Sequence, residues 1–363
     1  MEELFYMIAL TQVENVGIAI GKKLLSKFGS ARDIFKEKEK NLMKIPCLGS
    51  NVVDSLKSKA PLSKAEEELD YVINNSIRVI TFADDNYPYR LKQCSDAPIL
   101  LYVMGNILPQ KQKMLAVVGT RNATEYGKKV CNNIISDMKH LDVGIVSGLA
   151  YGIDTQSHIS ALNNDLSTFA VLGTGFRNIY PSVNKQLSED ISSKGCLITE
   201  FISTTKPDRE NFPRRNRIIA GLSDAILVVE AAEKGGALIT AELALSYDRE
   251  VFAIPGKIYD KYSSGCNSLI NKNKAIITLS ANDIIINMNW DTNPIVSTER
   301  KLLYPLNDVQ QQIYDYLEEE RVCHIDKISK KVNLPIERLS CELLDMELNG
   351  IVKCMPGKKY ENM

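Results

Sequence analysis

The sequence predicts an α/β protein. Its centre is an extended Rossmann-like, doubly wound, mostly parallel sheet, with a small helical domain before it and a winged-helix domain after it. Between residues 76 and 290, short apolar runs end in glycine or a polar turn and alternate with amphipathic stretches. Such alternation is typical of a parallel sheet that helices cover on both faces. The two ends of the chain carry mainly the 3.6-residue periodicity of helices.

Residues 1–75 are predicted to form a helical domain of the helix-hairpin-helix or SAM-like type. Apolar residues recur at helical spacing in 1–13, 20–28 and 50–58, with glycine-containing turns at Gly17 and Gly49. A turn of the form hydrophobic-x-Gly followed by a helix resembles the helix-hairpin-helix unit. That unit can place backbone N–H groups against a DNA phosphate. Because these residues hold 11 basic and 11 acidic side chains, a bundle used only for packing is the favoured alternative.

The central domain is predicted to span residues 76–290. Right-handed crossovers between its strands would give a doubly wound sheet. The amphipathic stretches 127–139 and 237–247 are predicted to be helices between strands. The predicted strands are 78–82, 99–105, 115–119, 143–148, 168–173, 196–199, 225–230 and 251–255.

A polar linker is expected at residues 291–305, followed by the winged-helix domain at 306–363. Three helical patterns, 309–319, 325–332 and 336–349, precede a predicted β-hairpin. This outline is typical of domains that bind the DNA major groove. Residues 307–363, however, hold 8 basic against 11 acidic side chains. Since groove binding needs cations against phosphates, a protein-contact or packing role is favoured.

Composition excludes several classes of protein. The chain has 363 residues, 44% hydrophobic and 25% charged, which excludes disordered, collagen-like and disulfide-scaffold proteins. With a net charge of −1, any nucleic-acid contact must come from a local basic patch. The eight cysteines form no CxxC pair and only three histidines are present, so we expect no structural metal. Scattered thiols without an apolar leader or an apolar run of 18 residues suggest the cytoplasm and no membrane span.

Three glycine-rich segments, 119–122, 147–154 and 173–176, follow three successive predicted strands. Ligands of doubly wound sheets bind beyond the carboxyl ends of the strands. Glycine lets the backbone approach a ligand and donate N–H groups, which suits a phosphate. An anion site is therefore predicted there. The segments lack GxGxxG, which speaks against NAD, and 17–23 is one residue short of a P-loop, so no nucleotide cofactor is expected.

A basic cluster, residues 206–217, carries five basic and two acidic side chains, net +3. Its last residues are predicted to precede a helix that begins near Ile218. Arginines in that position could hold phosphates bidentately. The alternative is that Arg215 and Arg217 tie loops to carboxylates such as Glu200 or Glu230.

Aromatic residues lie among these segments. Phe176, Tyr180 and Phe212 could stack on bases, which is how single strands are held without reading their sequence.

Two enzymatic functions are alternatives to this binding site. Ser147, Asp154 and His158 could suggest a nucleophilic triad, but Asp154 and His158 are four residues apart on one predicted helix and are expected to pair locally.

The segment 235–242 resembles the GGxGTxxE loop of lysine-decarboxylase-like nucleotide 5'-monophosphate phosphoribohydrolases. In those enzymes the glycines hold a phosphate and the glutamate, here Glu242, acts at the ribose. Leu238 stands where that loop has glycine.

The central domain also resembles the DNA-processing protein A (DprA/Smf) family, over about residues 80–290. The resemblance is specific, because seven blocks occur in order. They are Val118-Gly-Thr-Arg121, Ser147-Gly-Leu-Ala-Tyr-Gly-Ile-Asp154 with His158, Gly173-Thr-Gly175 with Tyr180-Pro181 and Asn184, Phe212-Pro-Arg-Arg-Asn-Arg-Ile-Ile-Ala-Gly221, Val229-Glu-Ala231, Val251-Phe-Ala-Ile-Pro-Gly256 and Gly265-Cys-Asn-Ser-Leu-Ile270.

The resemblance implies a binding protein without a cofactor or a catalytic residue. The family binds single-stranded DNA without sequence specificity. It recruits RecA recombinase, loads it on incoming DNA during natural transformation, and dimerises through the Rossmann-like domain. A homodimer that contacts single-stranded DNA and RecA, and no membrane, is therefore expected.

The resemblance also implies a set of DNA-binding residues. Some members carry a basic residue directly after Tyr-Pro, where this chain has Ser182, so Lys185 is suggested as a substitute. A second departure is Gly235-Gly-Ala-Leu238, where the family usually has Ser-Gly-Ser-Leu. The implied residues are Gly119, Thr120, Arg121, Ser147, Gly148, Gly173, Gly175, Arg215, Asn216 and Arg217.

Overall fold

The computed structural model of the protein describes residues 1–46, 48–110, 113–290, 306–320, 322–349, 351–355 and 357–362. Its chain divides into two compact units, Met1–Asp291 and Thr292–Met363. The linker predicted at 291–305 lies outside the described residues. The boundary predicted at residue 75 falls within the first unit, between a helix and a strand, and stays a prediction.

In residues 1–46 and 48–77, the structure describes six helices before the first strand. Two of them begin directly after Gly17 and Gly49, the glycines that the sequence singled out. The helical region does not have a hydrophobic core of its own, because Leu24 and Ile34 share one hydrophobic cluster with Leu100 and Tyr102 of the sheet. The helices are α1 (Glu2–Thr11), α2 (Ile18–Phe28), α3 (Ala31–Lys36), α4 (Glu39–Leu42), α5 (Ser50–Lys57) and α6 (Ala60–Asn74).

A nine-stranded sheet forms the centre of the first unit. All eight predicted strands are present, and the short β9 was not predicted. Strand order is β1-β2-β6-β5-β4-β3-β7-β8-β9. Only β1–β2 and β2–β6 are antiparallel, so the predicted mostly parallel α/β fold is confirmed. The strands are β1 (Arg78–Thr81), β2 (Leu100–Gly105), β3 (Lys113–Val118), β4 (Val143–Ser147), β5 (Thr168–Val171), β6 (Cys196–Thr199), β7 (Ala225–Val228), β8 (Glu250–Ala253) and β9 (Ile276–Ile277).

The chain reverses its direction of winding at β3. From β3 it moves through β4 and β5 to β6 on one side, then returns to β7 and β8 on the other. Strands β3 and β7 are parallel neighbours, with Val118 opposite Val228 near their carboxyl ends. The loops that follow them therefore diverge to opposite faces of the sheet. This divergence is where doubly wound folds leave a crevice for a ligand.

Helices cover both faces of the sheet. One correction concerns the basic cluster: the helix begins at Asn211 rather than near Ile218, so Arg214, Arg215 and Arg217 lie inside it. Proline at residue 213 is compatible with this, because the first turn needs no intrahelical N–H bond. The helices are α7 (Tyr89–Lys92), α8 (Glu125–Asp137), α9 (Ile153–Asn163), α10 (Lys185–Lys194), α11 (Asn211–Leu222), α12 (Gly236–Ser246), α13 (Ser264–Asn271) and α14 (Ala281–Asn287), with a 3-10 turn at Ser182–Asn184.

The second unit is a winged helix, as predicted. Ile313, Leu339, Leu343 and Val352 belong to its core. Its antiparallel sheet has the order β10-β12-β11. The elements are α15 (Asp308–Glu320), β10 (Val322–His324), α16 (Ile325–Val332), α17 (Ile336–Leu348), β11 (Val352–Met355) and β12 (Lys359–Asn362). Within the described ranges of the whole chain, every helix is too short or too polar to cross a membrane.

Candidate nucleic-acid interface

A cleft of about 1370 Å³ opens where the loops after β3 and β7 diverge. Small-molecule pockets usually measure about 300–1,000 Å³, so this cleft can take a polymer segment. Its walls are the turn after β3 (118–121), the start of α11 with the residues before it (207–219), and the loop after β7 with α12 (231–246). Of the three glycine-rich segments predicted to form the site, the first contributes residues 119–121 to these walls, the second contributes Ala150 and Asp154, and residues 173–176 lie outside them.

The turn that carries Arg121 is held by Glu230. The backbone N–H of Thr120 donates to the carbonyl oxygen of Glu230 at 2.8 Å. The buried Glu230 carboxylate accepts the N–H of Thr124 at 3.0 Å and the hydroxyl of the same residue. Gly119 has no room for a side chain, since a Cβ would lie 2.5 Å from Ile153. The exposed Arg121 thus projects from a fixed turn.

Arg121 and two aromatic rings form one surface at the mouth of the cleft. The Arg121 guanidinium carbon lies 5.0 Å from the centroid of the Phe212 ring. The Phe212 and Tyr180 rings are 5.8 Å apart between centroids, and Tyr180 is 39% exposed. A cation over a ring face is stabilised electrostatically, and exposed ring faces can stack on bases. Charge and stacking surface are therefore presented side by side.

Arg215 lies buried beneath this surface. Its Nη1 donates to the carbonyl oxygen of Val171 at 2.7 Å, while its Nε has no hydrogen-bond partner among the described residues. Burial lowers the pKa of Arg215 to about 10, against the opposing effect of Asp154. Burial also raises the pKa of Asp154, although Arg215 favours its ionised form. Gly148 completes the arrangement, because a Cβ there would lie 1.8 Å from Arg215 Nη1.

The opposite wall presents the amino end of α12. No side chain caps this helix, which begins at Gly236 after Gly235. A Cβ at Gly235 would have no atom within 4 Å, so the backbone there is open. The Asn216 side-chain amide donates to the Gly236 carbonyl at 3.3 Å and joins α11 to this wall. Free N–H groups and the helix dipole favour an anion.

The structure brings five of the predicted site residues to the cleft and leaves six outside its walls. Lining residues are Gly119, Thr120, Arg121, Arg215 and Asn216.

Four of the six residues outside are small, and each supports a neighbouring element. The buried Ser147 hydroxyl donates to the Val117 carbonyl at 2.6 Å. Gly148 makes room for Arg215, as described above. A Cβ at Gly173 would lie 3.1 Å from the Phe212 ring, and one at Gly175 would lie 2.0 Å from the Ile202 carbonyl oxygen.

Lys185 and Arg217, the two basic residues outside, have opposite surroundings. Lys185 is exposed at the start of α10. Arg217 is 7% exposed and is paired with the Glu200 carboxylate and the Asp96 carbonyl oxygen. In this geometry Arg217 ties α11 to two loops.

The triad residues are not arranged for nucleophilic catalysis. Ser147 donates to a backbone carbonyl, and His158 Nδ1 lies 2.7 Å from the Thr168 hydroxyl. Burial lowers the pKa of His158 to about 3, so the ring is neutral at pH 7. The predicted local pair of Asp154 with His158 does not form, because Asp154 faces Arg215 and the Ala150 N–H, 3.4 Å away.

Glu242, the residue that the phosphoribohydrolase alternative needs, does line the cleft. Its two carboxylate oxygens accept from Lys274 Nζ at 2.7 and 2.9 Å. Sequence reasoning missed Glu233 and Lys234, which also line the cleft. The available signal was their place in the loop that follows β7, since the chain reverses its direction of winding between β3 and β7. Across the described ranges, no cluster of three or more His, Cys, Asp or Glu side chains could hold a metal.

The sequence of this chain is similar to those of known proteins. Residues 78–289 match the family of DNA recombination-mediator protein A, and residues 298–358 match the DprA winged helix domain. Protein Smf of Synechocystis is 31% identical over 390 residues, with 98% of each chain covered.

Two solved structures have the same fold. DNA processing protein A of Streptococcus pneumoniae aligns at a TM-score of 0.63 with 32% identity, over 78% of this chain and 97% of the other. DNA processing protein A of Helicobacter pylori, whose structure concerns its single-stranded DNA binding mode, aligns at 0.53 with 25% identity, over 59% and 95%. By family match, full-length similarity and fold, this chain belongs to the DNA recombination-mediator protein A (DprA/Smf) family.

Proposed function

We propose that this protein binds single-stranded DNA in the cleft, without sequence preference, and acts by binding rather than by catalysis. The observation that carries the proposal is the surface formed by Arg121, Phe212 and Tyr180 at the cleft mouth. Aromatic faces grip unpaired bases and a neighbouring cation holds the phosphate, so neither contact depends on base identity. The Helicobacter pylori relative, with its single-stranded DNA binding mode, supports the same ligand.

The charges of the cleft favour a few definite phosphate contacts over broad electrostatic coating. The walls carry four basic side chains and four acidic ones, which are Arg121, Arg209, Arg215 and Lys234 against Asp154, Asp208, Glu233 and Glu242. Two of these carboxylates have a cationic neighbour: Glu242 is paired with Lys274, and Asp154 interacts with the charge of Arg215. The phosphates would therefore be held by Arg121 and by the backbone N–H groups at the amino end of α12, with Gly119 and Thr120 beside Arg121 in the wall of the cleft. The other proposed contacts (Ser147, Gly148, Gly173, Gly175, Lys185, Arg217) lie outside the walls and would act as supports or at the strand's exit.

We further propose that the bound strand is handed to RecA recombinase in the cytoplasm, during natural transformation. The family's role as a recombination mediator supports this step. A homodimer is proposed as the working form. The exposed apolar side chains Ile277, Leu279 and Ile286, at the β9 end of the sheet, offer a surface for a second copy.

The test compares single and double strands on one preparation. Fluorescence anisotropy with labelled oligo-dT of about 20 nucleotides, longer than the about 4–16 nucleotides of common single-strand sites, should show tight binding. A matched duplex should bind much more weakly, and RecA filaments should form faster on the bound strand. Equal affinity for both DNA forms would refute the single-strand proposal.

The same preparation tests the enzymatic alternative. Incubation with AMP should release no adenine. Adenine release that disappears in Glu242→Ala, together with weak DNA binding, would instead make the protein a nucleotide hydrolase.

A further inference from the structure

The loop after β8, residues 256–262, exposes two large apolar side chains next to each other. Ile258 is 81% exposed and Tyr259 is 98% exposed. Single exposed apolar residues are common on protein surfaces. An adjacent aliphatic and aromatic pair at the tip of a loop, both almost fully in water, is more typical of a contact surface. We call this segment the β8 loop.

The β8 loop has a firmly held base. The Asn267 side chain accepts the Gly256 N–H at 3.1 Å and donates to the Gly256 carbonyl at 3.0 Å. Within the loop, the Asp260 N–H donates to the Lys257 carbonyl at 3.1 Å. Its exposed tip is therefore presented on an ordered turn, which lowers the entropic cost of using it as a contact.

The β8 loop is also joined to the turn that carries Arg121. The Asn122 side-chain amide donates to the Tyr262 hydroxyl at 3.2 Å. The Tyr262 carbonyl accepts the N–H of Ala231, in the loop after β7, at 2.7 Å. Strands β3, β7 and β8 are parallel neighbours, so their following loops share one rim of the sheet. At about 4.8 Å between strands, the β8 loop lies roughly 10 Å along this rim from the β3 turn, about three stacked nucleotides at 3.4 Å each.

The charge of the β8 loop suits a polyanion. Lys257 and Lys261 flank Ile258 and Tyr259, and Asp260 is the one acidic residue between Gly256 and Tyr262. An aromatic ring between two cations can stack on a base while the flanking ammonium groups meet phosphates.

We propose that the β8 loop is a second contact for the same single strand, beyond the cleft, in which Tyr259 stacks on a base. The proposal rests on the proposed function and extends it, since it assigns a path along the rim from Arg121 past Asn122 to Tyr259. It predicts that a strand long enough to follow the rim gains affinity that a strand filling only the cleft does not.

The first experiment measures affinity against strand length for Tyr259→Ala. Tyr89→Ala is the matched control, because Tyr89 is 53% exposed and lies next to Arg90, which pairs with Asp224. Asp224 directly precedes β7 and accepts the Met114 N–H of β3, so it lies at the amino ends of the strands, opposite the rim that carries the β8 loop. On a long oligo-dT, Tyr259→Ala should lose at least about fivefold in affinity, the low end for one base–aromatic stack. On an oligo-dT just long enough to bind the cleft it should match the wild type, and Tyr89→Ala should match it on both.

A second variant reports stacking directly. The single tryptophan, Trp290, is 6% exposed, so Tyr259→Trp adds an emitter at the surface. Its emission should be quenched by long oligo-dT and unchanged by the short one. Unchanged affinity of Tyr259→Ala and unchanged emission, in a protein that binds DNA through Arg121, would overturn this proposal alone. If RecA capture were then lost in Tyr259→Ala, the loop would be a protein contact instead. A wild type that binds no single strand would overturn the proposed function itself.

Discussion

Replacing Arg121 by alanine tests the site with the least disturbance of the fold. Arg121 is exposed, and the contact described for it is the Phe212 ring at 5.0 Å. An exposed cation–π contact contributes about 0.5–1 kcal/mol, so folding should be almost unchanged. Hydrogen bonds from a charged group contribute about 1.5–3 kcal/mol. At about 1.4 kcal/mol per tenfold, their loss should weaken single-strand binding by about 10- to 150-fold.

The assay is fluorescence anisotropy with oligo-dT at several salt concentrations. Each phosphate contact on a single strand contributes about 0.7 to the slope of log affinity against log salt, so Arg121→Ala should flatten that slope by about this amount. Arg32→Ala is the control. This variant also removes one positive charge from the protein surface. The exposed Arg32 lies in the helical region, where its guanidinium is paired with the Glu2 carboxylate at 3.0 Å.

Two results would refute this reasoning. Unchanged affinity and slope in a folded Arg121→Ala variant would remove Arg121 from the site. An equal loss in Arg32→Ala would show that overall charge, and not this position, controls binding.

Three further predictions concern the buried groups around the cleft. Gly148→Ala, which forces a Cβ against Arg215, should lower stability by about 1–3 kcal/mol and weaken DNA binding; normal melting and affinity would contradict the proposed support. Arg217→Ala leaves the buried Glu200 unpaired and should cost about 3–5 kcal/mol in urea melts, while affinity per folded molecule is kept; an affinity loss in the folded fraction would return Arg217 to the DNA site. Burial lowers the pKa of His158 to about 3 in the folded protein, whereas the ring in the unfolded chain takes a proton below about pH 6.5. Between pH 7 and 5, the free energy of unfolding of the wild type should therefore fall by about 2 kcal/mol relative to that of His158→Gln. A difference between the two proteins that stays constant with pH would refute the buried neutral ring.

Much of the fold was predictable because the elements have strong local patterns. Eight strands are continuous apolar runs that end in glycine or polar turns, and a buried parallel strand needs that composition. The two-residue β9 is too short to show any period. The start of α11 was misplaced, since the helix begins at Asn211 and has Pro213 in its first turn. The first turn of a helix tolerates proline, and only the formed helix shows where that turn lies.

The candidate site divides in the same way. The glycine-rich turn after β3 was predicted from the sequence, because a tight turn at a strand end needs glycine. The DNA-binding role of Arg121 came from the family resemblance and stays a proposal, and the structure places Arg121 in the wall of the cleft. Arg215 and Arg217 could not be told apart, since they are two residues apart in one basic cluster. Folding directs the first to the Val171 carbonyl beneath the cleft and the second to Glu200. The backbone conformation of a turn depends on residues that are neighbours in the sequence, so the sequence predicts it. The partner of a buried charged side chain depends on packing between segments far apart in the sequence, so only the tertiary structure determines that partner.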